Sequence, residues 1–352
     1  MQPPRFPLLA LGVVSLVCGI AAGLARLGLE AHLPGDALAW HGALMVGGFF
    51  GAVISLERAV ALGSGWSFGA PLLCGLGGLA LLAGAPQAGL ALMSAGALLL
   101  VAASLAVIRR QSSLESWLLA AGAAALLAGD AAVAGGFGGT AAMRWWIAFF
   151  ALTIGGERLE LSRYLPKPRW AGALFVVISA ALVAGASAST RFTGFTLALL
   201  AAWLLAFDIA RRTIFSAGLT RYIAACLLAG YAWLALGGVM LAAGYPRDAG
   251  LHAFFLGFVF SMVFGHAPII VPAVLRRALP YTGWFYLPLA LLHLSLLARV
   301  AGAIASEPEW QLCGAIGNAI AIGAFILIAA ISARSDQALA GARPARPAAT
   351  PR

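Results

Sequence analysis

Two histidines in apolar surroundings are the first residues of this chain that could do chemistry. His41 opens the stretch HGALMVGGFFGAVISLER, and His252 opens the stretch HAFFLGFVFSMVFGHAPIIVP. Imidazole binds metals and haem iron, and a polar side chain within hydrocarbon is costly enough to indicate a functional site. Glycines after His41 and phenylalanines after His252 suit a large, flat, apolar ligand. The alternatives are a histidine that only bonds to a carbonyl and glycines that only allow close helix packing.

The other histidines have more than one interpretation. His266 lies fourteen residues after the second of that pair, on roughly the same helix face and about 21 Å deeper. Glu57 and Glu157 are expected at that depth, where they could form a metal site with His266. Because an arginine follows each glutamate, the alternative is a set of ion pairs. His293 could bind a second metal or haem, contact a cofactor or bond to a neighbouring helix. His32 is expected to be solvated, within reach of a propionate or of copper.

The composition shows which kind of protein must position these residues. Of 352 residues, 62% are hydrophobic and only 10% are charged, and the mean hydropathy is +0.96. A water-soluble domain of this size has too small an interior for so many apolar side chains, which excludes that class. The net charge of +10 is carried by short loops between spans. It therefore indicates how the chain is oriented in the membrane and does not indicate nucleic-acid binding. We predict an all-α polytopic protein whose partner is the lipid bilayer.

Apolar runs long enough to span hydrocarbon occur twelve times. The predicted spans are 7–28, 37–62, 68–84, 87–108, 115–135, 143–162, 170–188, 193–210, 219–243, 251–275, 281–304 and 310–332. They form a single membrane domain over residues 1–332. Residues 333–352 are rich in Ala, Pro and Arg, and we predict a disordered, basic, cytoplasmic tail.

The distribution of basic residues predicts the orientation of the chain. Twelve spans put both termini on one side, and 17 of the 22 Lys and Arg residues then lie on that side. The positive-inside rule predicts cytoplasmic termini in the inner membrane of a bacterium. His41 and His252 then lie at one depth near the outer surface, as two axial ligands of a haem b iron would. On the same side, Arg144 and Arg247 could pair with the haem propionates.

A short internal similarity suggests repeats. Span 2 ends in ISLER at residues 54–58, and span 6 ends in IGGER at residues 154–158. Span 10 follows about another hundred residues later with Phe264-Gly265-His266. Three pseudo-repeats of four helices would place spans 2, 6 and 10 in equivalent positions.

The stretches that His41 and His252 open resemble spans 2 and 10 of the catalytic subunit of the haem–copper oxidase superfamily. The NnrS-like branch, membrane haem proteins associated with nitric oxide, is the more similar part of that superfamily. The resemblance covers most of the chain as topology and two helices as motif. It implies that His41 and His252 are the two axial ligands of a low-spin haem.

The chain departs from the oxidases at the copper site. Spans 6 and 7, read as MRWWIAFFALTIGGER and WAGALFVVISAALVAGAS, contain no histidine. Span 10 has one histidine, His252, at the level where an oxidase has two. The oxygen-reducing binuclear centre therefore cannot form from these residues.

The pattern predicts a transmembrane b-type haem protein that transfers electrons or responds to and protects against nitric oxide. Its redox partner would be a cytochrome or a quinol, and any enzymatic activity would be that of a haem-dependent oxidoreductase. One alternative is a copper-handling factor, for which Met45 lies one turn from His41. The other is a transporter with Glu57, Glu157 and His266 at a cytoplasmic gate.

Overall fold

The computed structural model describes residues 5–30 and 37–341, with side chains up to Arg334 except that of Tyr164. His32 lies outside these residues. The described chain is helical and has no strand. Its long helices are α1 (Arg5–Ala25), α2 (His41–Leu62), α3 (Gly65–Leu82), α4 (Pro86–Arg110), α5 (Leu114–Ala134), α6 (Gly139–Leu161), α7 (Arg169–Ala188), α8 (Thr190–Phe207), α9 (Gly218–Ala243), α10 (Arg247–Leu275), α11 (Gly283–Ala305) and α12 (Pro308–Gly341).

Eleven of the helices in the described part of the chain are long and apolar enough to cross a membrane. The chain is therefore a multi-pass membrane protein. The remaining long helix, α6, has 23 residues but also carries Arg144, Glu157, Arg158 and Glu160. Each of the twelve helices overlaps one predicted span.

Helix α12 is longer than predicted. It continues to Gly341, nine residues into the segment that the sequence predicts to be disordered. Three alanines in this extension favour a helix. Residues 342–352 lie outside the described part of the chain.

The helix ends follow local rules. Gly63 ends α2 and Gly244 ends α9, both in the left-handed conformation that glycine adopts readily. Pro86 occupies the first turn of α4, where its missing N–H is not needed. The Ser113 side chain accepts a hydrogen bond from the Ser116 backbone N–H at the start of α5. These residues make the connections between the helices short.

Helices α2, α6 and α10 meet at a cluster of phenylalanines in the centre of the bundle. The rings of Phe50 and Phe150, from α2 and α6, lie 4.7 Å apart in an edge-to-face arrangement. Phe260 of α10 lies 5.4 Å from Phe50, and Phe255 lies 5.8 Å from Phe150. This central cluster fixes α2 and α10 beside each other, so the two histidines at their first turns come close together.

Candidate functional site

His41 and His252 line one cavity of about 820 Å³, which we call the histidine cavity. It lies at the end of the bundle where α2, α6 and α10 begin. The last turns of α1, with Gly23 and Leu24, and the α12 residues Ala315 and Asn318 also contribute to its wall. Two residues that are 211 positions apart in the sequence are therefore brought to a single site.

The His41 ring is held by α1. Its Nδ1 atom lies 2.7 Å from the carbonyl oxygen of Gly19. Because a carbonyl only accepts, Nδ1 carries the hydrogen, and Nε2 keeps a lone pair. Gly23 allows the ring to lie against the α1 backbone, since a Cβ atom there would be 2.8 Å from the His41 Cε1 atom.

The His252 ring is held in the same way by its own helix. Its Nδ1 atom lies 2.9 Å from the backbone carbonyl oxygen of Asp248 and 3.0 Å from the Asp248 carboxylate. Both partners accept, so Nε2 again keeps the lone pair. In metal sites, such bonds from the second nitrogen orient the imidazole and raise its basicity.

Arg299 connects the His252 ring to α11. Its Nη2 atom donates to the Nε2 atom of His252 at 3.0 Å and lies 3.4 Å from a carboxylate oxygen of Asp248. Gln311 of α12 donates to the same carboxylate at 2.9 Å. Arg299 is only 7% exposed, whereas the Asp248 side chain is 37% exposed, so the arginine end of this network is the buried one.

A π-helical stretch follows each histidine. Residues Leu44–Phe50 of α2 and Ala253–Phe260 of α10 are π-helical, whereas α6 is α-helical throughout. Such stretches are rare and are found frequently at functional sites. The two helices that carry the histidines thus share a local distortion that the third central helix lacks.

The cavity is cationic at its polar side. Arg26, Arg247 and Arg299 line it, and Asp248 is the acidic residue among its described lining. Arg247 also donates to the Thr140 hydroxyl at 2.6 Å, which connects α10 to α6. A ligand with anionic groups at one edge matches this distribution of charge.

Arg144 has a different environment. Its Nε atom donates to the carbonyl oxygen of Ala186 at 2.9 Å, between α6 and α7. It does not belong to the described lining of the cavity. Of the two arginines that the sequence suggests as propionate partners, the structure therefore places Arg247 at the cavity and Arg144 away from it.

Aromatic side chains form the apolar side of the cavity. Phe50, Phe255 and Phe260 reach it from the central cluster, and Trp146 of α6 closes it beside Gly42. The Trp146 indole donates to the Asp130 carboxylate at 2.9 Å. Met45 lines the same cavity as the histidines.

His266 and His293 do not reach this cavity. The Nδ1 atom of His266 lies 2.8 Å from the backbone carbonyl oxygen of Met262. The Nδ1 atom of His293 accepts from the Trp233 indole at 3.0 Å, and the two rings are nearly parallel. His293 therefore uses one ring nitrogen to bond a neighbouring helix, one of the alternatives that its sequence position offers.

The glutamates of α2 and α6 do not form a metal centre with His266. The described residues contain no group of three or more His, Cys, Asp or Glu side chains that could hold a metal ion. Arg158 pairs with Asp208, at 2.9 Å. The ion pair that the structure describes in this region thus uses Asp208, and not the glutamates of the predicted set.

Several residues of the site have no clear signal in the sequence. Arg299, Gln311 and Asn318 lie on α11 and α12, far along the chain from either histidine. Gly23 is one of 43 glycines. Asp248 is the exception, because an acid four residues before a histidine lies on the same helix face and could have been chosen as its partner.

The sequence model of the family DUF8744, described as a domain of unknown function, matches residues 5–334. The match covers most of the chain, so the chain belongs to this family. Comparison with curated proteins and with solved structures found no match.

Proposed function

We propose that this member of the DUF8744 family is a transmembrane b-type haem protein that transfers electrons, in which His41 and His252 would hold the haem. The observation that carries the proposal is that both histidines line one cavity of about 820 Å³, each with its Nδ1 atom bonded to a backbone carbonyl. This arrangement leaves the Nε2 atoms as the coordinating atoms. Two neutral imidazoles are the donor set of six-coordinate haem iron.

The cavity suits haem in size and chemistry. Its volume falls within the range of about 300–1,000 Å³ that is typical of small-molecule sites. The phenylalanines provide apolar walls for a macrocycle, and Arg247 provides a cation for its carboxylates. Gly23 lets the His41 ring lie against α1.

Arg299 must move if His252 binds iron. Its Nη2 atom now donates to the lone pair that the iron would need. The same atom already contacts the Asp248 carboxylate, so we expect the guanidinium to turn toward that group. The bond from Nδ1 to the Asp248 carbonyl keeps the His252 ring in place during this change.

Ligation by two histidines limits the chemistry. Haem bound in this way supplies reversible one-electron transfer and has no open position for oxygen or nitric oxide. The surrounding residues hold the histidines, exclude water with aromatic rings and neutralise carboxylates with arginines. A cytochrome or a quinol is the partner class that fits electron transfer; a response to nitric oxide would require one histidine to leave the iron.

We also propose the number of membrane spans and their orientation. We infer that α6 also spans the membrane, which makes twelve spans and three pseudo-repeats of four helices. The meeting of α2, α6 and α10 in the phenylalanine cluster supports this arrangement. The basic loops support cytoplasmic termini in a bacterial inner membrane. We propose likewise that the chain is related to the haem–copper oxidase superfamily, and most closely to its NnrS-like branch.

Copper handling is the second candidate. Met45 lines the histidine cavity together with His41 and His252, and a thioether with two imidazoles suits Cu(I). In this alternative the large aromatic part of the cavity would have no role.

The visible spectrum of the purified full-length protein tests the proposal. We expect Soret and α bands that sharpen on reduction, and loss of bound haem in His41→Ala and in His252→Ala. His266→Ala and His293→Ala are matched controls, because both histidines lie away from the cavity, and they should keep the spectrum. Colourless protein that binds copper through Met45 would support the second candidate. Protein that binds neither contradicts both.

A further inference from the structure

A buried acid lies directly behind one wall of the histidine cavity. Asp130, in the last two turns of α5, is only 1% exposed. One oxygen of its carboxyl group accepts a hydrogen bond from the Trp146 indole N–H at 2.9 Å. The other oxygen, Oδ2, is buried and has no hydrogen-bond partner.

The groups packed around Asp130 provide no counter-charge. Gly47 of α2 packs against its Oδ1 atom, beside the sulfur of Met93 from α4. Trp146 covers it from α6, and the Cys74 thiol of α3 is the other titratable group that interacts with it. The salt bridges in the described part of the chain involve Asp208 and Asp248, not Asp130.

Asp208 shows what an ion-paired buried aspartate looks like in the same protein. Both of its oxygens bond to the Arg158 guanidinium, at 2.9 and 3.3 Å, and one also accepts from the Ala210 backbone N–H at 2.7 Å. Asp130 has a single neutral donor in place of these three contacts. A buried carboxylate without a cation is far costlier than a buried neutral acid with one unmet hydrogen bond.

We propose that Asp130 holds a proton in the native protein and is a proton-binding site within the membrane, adjacent to the histidine cavity. Trp146 connects the two. Its N–H bonds to Asp130, while its ring lines the cavity and packs on Gly42, the residue after His41. The indole ring spans from its six-membered edge at Gly42 to its N–H group at Asp130. Charge that enters the cavity therefore acts on this proton across one indole ring, in a region of low dielectric constant. The proposal does not require haem.

Infrared spectroscopy of the full-length protein tests for this proton. The protein contains five aspartates, Asp36, Asp130, Asp208, Asp248 and Asp336, which can be labelled with ¹³C at the side-chain carboxyl. At neutral pH we expect one carboxylic-acid C=O band that shifts with the label. The band should disappear in Asp130→Asn, whose amide keeps an acceptor for Trp146 and replaces the O–H by N–H.

Asp208→Asn is the matched control. It removes a buried aspartate that is ion-paired, so the acid band should remain in this variant. If Asp130→Asn does not fold, persistence of the band in labelled Asp208→Asn and Asp248→Asn supports the assignment by elimination. Absence of any label-sensitive acid band in the native protein, or its survival in Asp130→Asn, overturns the proposal. Neither result bears on the haem spectrum, so the two proposals fail separately.

Discussion

Replacing Gly23 by alanine should weaken haem binding without touching a ligand. The new Cβ atom would lie 2.8 Å from the His41 Cε1 atom, whereas non-bonded carbons prefer about 3.5–4.0 Å. The ring must therefore move by roughly 0.7 Å or more. The hydrogen bond from Nδ1 to Gly19, at 2.7 Å, can lengthen by only about 0.5 Å before it leaves the normal range.

We therefore expect Gly23→Ala to lose the bond that orients His41. Loss of such a bond costs about 0.5–1.5 kcal/mol of stability, and loss of an orienting partner weakens a metal site by about 10–100-fold. The assay is a haem titration of the protein in nanodiscs, read at the Soret band, together with thermal unfolding. Gly323→Ala is the control, because a Cβ atom on this α12 residue meets nothing within 4 Å. Equal haem affinity in the two variants would refute the reasoning about His41.

Two further predictions concern the packing of the central helices. Asp208→Ala should destabilise the protein by about 3–5 kcal/mol, because it leaves the buried Arg158 guanidinium uncompensated. The double variant Arg158→Met/Asp208→Leu should recover much of that loss. A double variant that is no more stable than the single one in denaturant unfolding would contradict this. Phe50→Ala should cost about 3–5 kcal/mol, because the ring is 4% exposed and packs on Phe150 and Phe260. An unchanged unfolding midpoint for Phe50→Ala would argue against a tightly packed centre.

The membrane helices were largely predictable because a span needs a long apolar run, and that pattern is local in the sequence. The errors lie at the helix ends. Helix α6 begins at Gly139, not at 143, because Gly138 adopts a positive φ that favours glycine and allows an earlier start. Helix α10 begins at Arg247, not at 251, directly after Pro246. Helix α8 ends at Phe207, not at 210, because Asp208 leaves the helix and accepts from the next turn.

The candidate site was predictable only in part. His41 and His252 lie at the same depth on two helices that run in the same direction, and this was enough to expect them near each other. The depth follows from counting residues along each span. The rotation of a helix about its axis depends on its neighbours, and this decides whether a side chain faces a cavity. Arg144 and Arg299 show the difference. Arg144 was expected at the cavity but bonds to α7, whereas Arg299, for which the sequence has no clear signal, reaches His252.

In α2 and in α10, the π-helical stretch lies between the turn that carries the histidine and the rest of the helix, so the two parts can face different directions. In a regular α-helix each residue turns the next by 100°, so an added residue would swing everything beyond it away from its partners. A π stretch takes up such a residue locally, because its hydrogen bonds run from i to i+5. The turn that bears each histidine can therefore keep its own angle toward the cavity while the phenylalanines of the same helix keep theirs toward the centre. A change that rotates the side chains at one end of these helices need not rotate those at the other end.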